Sequence, residues 1–327
     1  MNKKIIILVF FAGSLFLNAC QKDIDVFVPD AGQLNGPDTT WQNTITTTTP
    51  VSVLKNNLLA EPYRDTITVS ANIATLATPF GMQINFPPNC CVNGAGQPVT
   101  GKVDVEIQVV KKKGDMIRQD KPSIFNDSAL TTAGQIFISL KKNGQLLQLA
   151  PGIRYNINYV DLPTNQQMKF FIGDESNAQA FNWLPTPDPG LDTIIITPQS
   201  YQIYTKRLRW ISVAQPFEIN TSGRVNVTAD MAAYFTNANT VAFTVFKDVR
   251  SVVAMRPDLG TRKFITGRLP VGKAITVVVI SKQGNDYYLG FESAVTQTQS
   301  SGTAVQHVNI VPIKKSLTEI LSYLNSL

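Results

Sequence analysis

Histidine is almost missing from this 327-residue chain, in which His307 stands alone. A Ser-His-Asp or Cys-His relay would have to use that one residue, inside the alternating stretch AVQHVNIV, and no G-x-S-x-G turn accompanies it. His307 therefore reads as a sheet-surface residue. Cysteine is scarce as well, with Cys20, Cys90 and Cys91 the only three, and none falls in a C-x-x-C pair. Together with the lack of H-E-x-x-H, this removes the usual zinc spacings. The chain also lacks the phosphate-cradling G-x-x-x-x-G-K-[ST], the dinucleotide G-x-G-x-x-G and the calcium loop D-x-D-x-D-G. Charged residues are only 16% of the total and the formal net charge is +6. The densest basic run, Lys111-Lys112-Lys113 with Arg118 and Lys121, has no aromatics spaced to stack on bases. It reads as a solvated loop, with an anionic lipid or glycan surface as the alternative, and not as a nucleic-acid reader. These shortages lead us to expect a protein that is not an enzyme, with no cofactor, no metal and no nucleic-acid partner.

What is present begins at the N-terminus. Lys3 and Lys4 precede an apolar stretch from Ile5 to Leu17 that is too short to span a bilayer comfortably. It ends Leu17-Asn18-Ala19-Cys20, which resembles the lipobox of bacterial lipoproteins. The resemblance implies a leader over residues 1–19, cleavage before Cys20, and acylation of that cysteine. Two or three acyl chains anchor a protein stably where one would not. Gln21 follows the cysteine, and Lys22, Asp23 and Asp25 form a short charged run similar to the surface-export signal of Bacteroidota lipoproteins. The expected location is the outer membrane, lipid-anchored, with exposure to the medium as the further expectation.

Residues 20–50 have little apolar periodicity and end in TTWQNTITTTTP, so they read as a flexible tether. Strand signals dominate afterwards. Lys102 to Val110 places Val103, Val105, Ile107 and Val109 on one face and Asp104, Glu106 and Gln108 on the other, the period of a half-buried strand. Short runs at Met82 to Phe86, Ile136 to Lys141 and Met168 to Ile172 continue the pattern, and Asn143-Gly144 marks a hairpin. The proline-rich AFNWLPTPDPGLDT suggests a boundary near residue 190. A second series follows, including Thr240 to Phe246 and Ala274 to Ser281. The fold class expected is all-β: two tandem antiparallel β-sandwich domains, over 51–190 and 191–313, with a short C-terminal α-helix over 314–327. Within that helix Ser316 and Glu319 form a capping-box pattern, and Leu317, Ile320, Leu321, Leu324 and Leu327 share a face, to pack on its own domain or to dock a partner.

The run GMQINFPPN at 81–89, followed by GQPVTGKVDVEI at 96–107, resembles the opening of a ZU5-type β-sandwich. The stretches GDMI at 114–117, ALTTAGQIFISLKKNGQLLQL at 129–149, MKFFIGD at 168–174, FNW at 181–183 and RLRWI at 207–211 are similar to uncharacterised Bacteroidota lipoproteins that carry such a domain behind a lipobox. The resemblance spans about residues 65 to 320, and its signatures speak to fold rather than to activity. Some ZU5-related proteins cleave themselves at a His-Phe-Ser type strand, and Val308 and Asn309 after His307 depart from that pattern.

Three readings of Cys90 and Cys91 stand side by side: buried free thiols acting as small hydrophobes, a strained vicinal disulfide, or an intermolecular bridge. Asp104 and Glu106, on the polar face of their strand, need no catalytic role. Four stretches are similar to the Asp-(Ser/Thr) O-glycosylation sites of Bacteroidota, with acceptors Thr39, Thr66, Ser128 and Thr193. The function expected is a non-catalytic binding or display module, attached to the membrane through its lipid and taking a glycan or an envelope protein as partner. A carboxylate-based hydrolase of surface glycans and a structural subunit of an envelope assembly are the alternatives.

Overall fold

Strand Gly101–Val110 shows the rule by which most of this chain folds: Val103, Val105 and Ile107 are buried while Asp104 faces water. β-Branched side chains at every second position fit a pleated surface with one dry face. The computed structural model describes residues 38–126, 128–177, 180–217, 223–298 and 305–327. Half of the chain is strand and 9% is helix, in several antiparallel sheets.

The first sandwich packs two sheets. One has its strands in the order Tyr63–Val69, Gly101–Val110, Ser128–Lys142, Arg209–Pro216, Lys169–Asp174 and Asn182–Pro185. The other runs Thr193–Ile196, Tyr201–Thr205, Tyr155–Tyr159, Met82–Phe86 and Ala74–Thr78. Val105, Ile107, Ile136 and Ile138 from the first meet Ile84, Ile157 and Ile203 from the second in one core. The expected hairpin turns at Asn143 and Gly144, whose φ values of 52° and 78° suit an Asn-Gly pair, and Lys142 faces Gln145 across it.

The second sandwich is a single sheet folded over itself. Strand Val252–Asp258 makes the corner, pairing first with Thr240–Phe246 and then, from Arg256 on, with Lys263–Ile265. Strand Val305–Asn309 lies parallel to Arg224–Asp230, an exception among otherwise antiparallel pairings.

The chain crosses from one sandwich to the other later than the prolines near 190 suggested. Strands 193–196, 201–205 and 209–216 all pair within the first two sheets. The segment around Asp192 is a loop inside that sandwich, held by hydrogen bonds rather than released as a linker. The expected tether also ends earlier than residue 50. The Trp41 ring packs 5.1 Å from that of Phe264, and Asn237 takes the Gln42 amide and donates to its carbonyl at 2.9 and 2.7 Å.

Between the sandwiches lies a third apolar layer made by three helices, Pro50–Leu58, Lys113–Arg118 and Leu317–Asn325. They bury Leu54, Leu58, Met116, Ile320 and Leu324 against Trp183 and Trp210 on one side and Val245, Val278 and Ile280 on the other. Each such side chain contributes roughly 1.5–3 kcal/mol. Only the third helix was expected, and its capping box forms as anticipated. Its apolar face is turned into this layer, with Tyr323 stacked on Phe291 at 4.6 Å.

The lysine run is not the solvated loop expected of it. Lys111 Nζ donates to the Val160 carbonyl at 2.7 Å and lies over the Tyr159 ring, while Lys113 Nζ donates to the carbonyls of Phe246 and Lys247 at 2.8 and 3.2 Å. Lys112 reaches the Asn325 carbonyl at 3.4 Å. Three adjacent ammonium groups thus bond to the first sandwich, the second sandwich and the C-terminal helix. Burial lowers the pKa of Lys111 and Lys113 from the usual lysine range.

Gly114 is the tightest point of the helical layer, because a Cβ there would lie 1.7 Å from the Leu324 carbonyl oxygen. The obstacle is backbone, so the helices would have to separate. Gly114→Ala is expected to destabilise the protein by about 1–3 kcal/mol. Thermal unfolding of the variant beside wild type measures this, and an unchanged midpoint would show that the layer is loosely packed.

Candidate functional site

Among the described residues, a groove of about 490 Å³ lies where the two sandwiches meet. Its floor is the outer face of strands Arg224–Asp230, Lys263–Ile265 and Val252–Asp258, carrying Asn226, Ile265 and Arg256. These positions point outward because their neighbours Val225, Val227, Met255 and Phe264 are buried in the core beneath. One wall is the turn Thr266-Gly267-Arg268 with Arg224 beside it. The other comes from the first sandwich, with Asn126, at a φ of 46°, and Ser128, the first residue of strand Ser128–Lys142. Thr266 Oγ1 accepts the Val227 amide at 2.8 Å, which fixes the turn, and Arg224 Nη1 donates to the Arg268 carbonyl at 3.1 Å. Three arginines thus line this groove, and the described lining holds no carboxylate.

A second, smaller groove of about 310 Å³ is lined by Thr39, Trp41, Asp230, Met231, Phe235, Arg262 and Lys263, among others. Beside it, on the neighbouring strand, lies His307. Its Nδ1 is 3.0 Å from Asp230 Oδ2 and also 3.0 Å from Thr228 Oγ1, and Lys263 Nζ is 2.9 Å from Asp230 Oδ1. A catalytic relay needs the nucleophile and the acid on opposite ring nitrogens. Here both oxygens meet Nδ1, so the ring does not bridge an acid and a hydroxyl as a relay does. The arrangement is a hydrogen-bonded clasp between parallel strands.

The sequence-predicted residues are scattered. Cys20 lies outside the described residues, as does Asp127 before Ser128. Cys90 and Cys91 are wholly buried in the first core as free thiols, their sulfurs 3.3 Å apart and sharing a hydrogen bond. The hydrogen bond between them and their burial push the Cys91 thiol up, away from the reactive thiolate. Glu106 is occupied by Lys141 at 2.6 Å and Arg64 at 3.3 Å, and those partners, Lys141 foremost, hold its carboxyl below the usual range.

Of the four hydroxyls, Thr39 is exposed at the second groove and Thr66 is exposed on the edge strand Tyr63–Val69. Ser128 is half-buried in the first groove. Thr193 is half-buried too, and its hydroxyl accepts from Arg154 at 2.8 Å. Its neighbour Asp192, 2% exposed, takes bonds from Thr186 and Thr205 at 2.7 Å, the Lys206 amide at 3.2 Å and Arg207 at 3.2 Å. The arginine-lined groove was not foreseen, because its residues come from separate stretches around 126, 224, 256 and 266.

No protein-family model matches this chain, and no curated protein matches it either.

Two outcomes are expected. Both core cysteines should resist iodoacetamide in the folded protein and both should be alkylated in denaturant without reductant. Intact mass reads this directly, and no alkylation on unfolding would replace the thiols with a disulfide. For Asp192, burial alone would raise its carboxyl, but the four hydrogen-bond donors outweigh burial and hold it below the usual carboxylate range. Its stabilisation is complete above the unfolded value of about 3.9 and is lost as pH falls through the depressed folded value. Asp192→Asn should cost about 2–4 kcal/mol at pH 7, and the gap should narrow below about pH 4. Urea unfolding of both proteins across that pH range tests the sign, and a gap that widens in acid refutes it.

Proposed function

We propose that this chain is a lipid-anchored, non-catalytic binding module of the bacterial outer membrane, which captures an envelope glycan or protein in the groove between its two sandwiches. The observation that carries this reading is the groove itself. It is ligand-sized, within the roughly 300–1,000 Å³ of small-molecule sites, it sits at a domain junction, and guanidinium, amide and hydroxyl groups converge on it. The LNAC sequence at 17–20 supports the anchor, and the strand signatures of 81–107 support a ZU5-like lipoprotein.

The described lining of the larger groove is basic and polar, which favours a binding reading over a carboxylate-based one. The apolar face of the C-terminal helix is used inside the protein, which leaves it little to offer an assembly partner.

The test uses the protein in its native membrane. The wild type is expected to sediment with outer membranes and to yield an acylated N-terminal peptide beginning at Cys20, while Cys20→Ala becomes soluble. Immobilised mature protein should retain envelope material that Ser128→Trp, which fills the groove, does not retain. Incubation with that material should release no new reducing ends. A soluble wild-type protein, or steady release of reducing ends, would overturn the reading.

A further inference from the structure

The described lining of the larger groove is unusual in its choice of charge: arginine three times and no lysine. A lysine would offer a point charge, whereas a guanidinium offers a rigid fork that meets a carboxylate, sulfate or phosphate through two parallel bonds. Arg256 has an interaction of its own, which leaves Arg224 and Arg268 as the pair facing a ligand. Arg224 is half-buried and already placed by its bond to the Arg268 carbonyl, so ordering it for a ligand costs less than ordering a free side chain. Arg268 is exposed at the rim. Both side chains line the same groove, so an anion there meets two positive charges.

The rest of the lining describes the body of the ligand. Asn126 and Asn226 bring amides and Ser128 a hydroxyl, the groups that exchange hydrogen bonds with sugar hydroxyls. Ile265 adds a small apolar surface on the floor, suited to the C–H face of a sugar ring. A simple inorganic anion would use the arginines and leave the amides and most of this volume idle.

We propose that the groove is a subsite for an anionic saccharide, whose carboxylate or sulfate or phosphate ester is held by Arg224 and Arg268 while Asn126, Ser128 and Asn226 hold the ring. This rests on the binding-module reading and specifies its ligand class. The larger groove is therefore selective for charge first and for sugar second.

Titration calorimetry on the mature full-length protein in detergent tests this, with trigalacturonate as the carboxylate probe, a heparin-derived tetrasaccharide as the sulfate probe and maltotriose as the neutral one. At least one anionic probe should bind ten-fold or more tightly than maltotriose, and its binding should weaken as salt rises from 50 to 300 mM. Arg268→Gln, at an exposed site, should weaken it several-fold, and the Arg224→Gln/Arg268→Gln pair ten-fold or more, with circular dichroism unchanged. Equal binding of maltotriose, or a double variant that binds the anionic probe like wild type, overturns the anionic inference. If maltotriose binding survives the arginine variants but is lost in Ser128→Trp, the binding module stands without its charge preference. Failure of all three probes to bind, together with no retention of envelope material, overturns both.

Discussion

Two sheets that are apolar on both faces cannot stand in water alone, and the rest of this architecture answers that constraint. Strand Thr240–Phe246 is buried along its whole length: Ala242 and Phe246 face the inner core, while Val241, Phe243 and Val245 face the helical layer. The first sandwich has the same problem at Phe171, Trp183 and Trp210. Three short helices, each marginal as an isolated peptide, are stable here because they cover both surfaces at once. The layer turns two sandwiches into one compact unit from Thr39 to Leu327. It also holds the groove walls in register, since Asn126 and Ser128 come from one sandwich and Arg224 and Arg268 from the other.

Polar groups complete the junction without opening it. The Trp183 indole donates to the Pro122 carbonyl at 2.9 Å, and Arg250 bonds both the Ala133 carbonyl and Asp161. Lys111, Lys112 and Lys113 cap carbonyl groups that three separate elements present at the same place. Two of these three bonds are exposed, so they tie the elements together at the rim of the layer rather than drive its formation.

How much of this was legible in the sequence depended on whether the cause was local. Gly101–Val110, Met82–Phe86, the Asn143-Gly144 turn and the capping box at Ser316 all follow from neighbours in the chain, and each stands where expected. Helix Pro50–Leu58 was hidden because Val51 and Val53 are poor helix formers and its stability comes from tertiary burial. Pro187 and Pro189 do fall in a bend and a turn, but Asp192 ties that turn to Thr205 and Arg207, inside the same sandwich. The lysine run was misread because nothing in its own composition shows the carbonyls gathered from residues 160, 246 and 325. The groove was invisible for the same reason, being assembled from four distant segments.

The helical layer has a consequence for the timing of folding. Residues 50–58 begin the layer and residues 317–325 finish it, with both sandwiches made in between. A chain emerging from its N-terminus has its first helix long before that helix has its full set of neighbours. Each sandwich can gather its own inner core as it appears, but the surface between them stays open until the last helix arrives. Until that helix docks, Trp183, Trp210 and Val278 lack part of their apolar cover, and it is then that a helper shielding apolar surface has the most to protect.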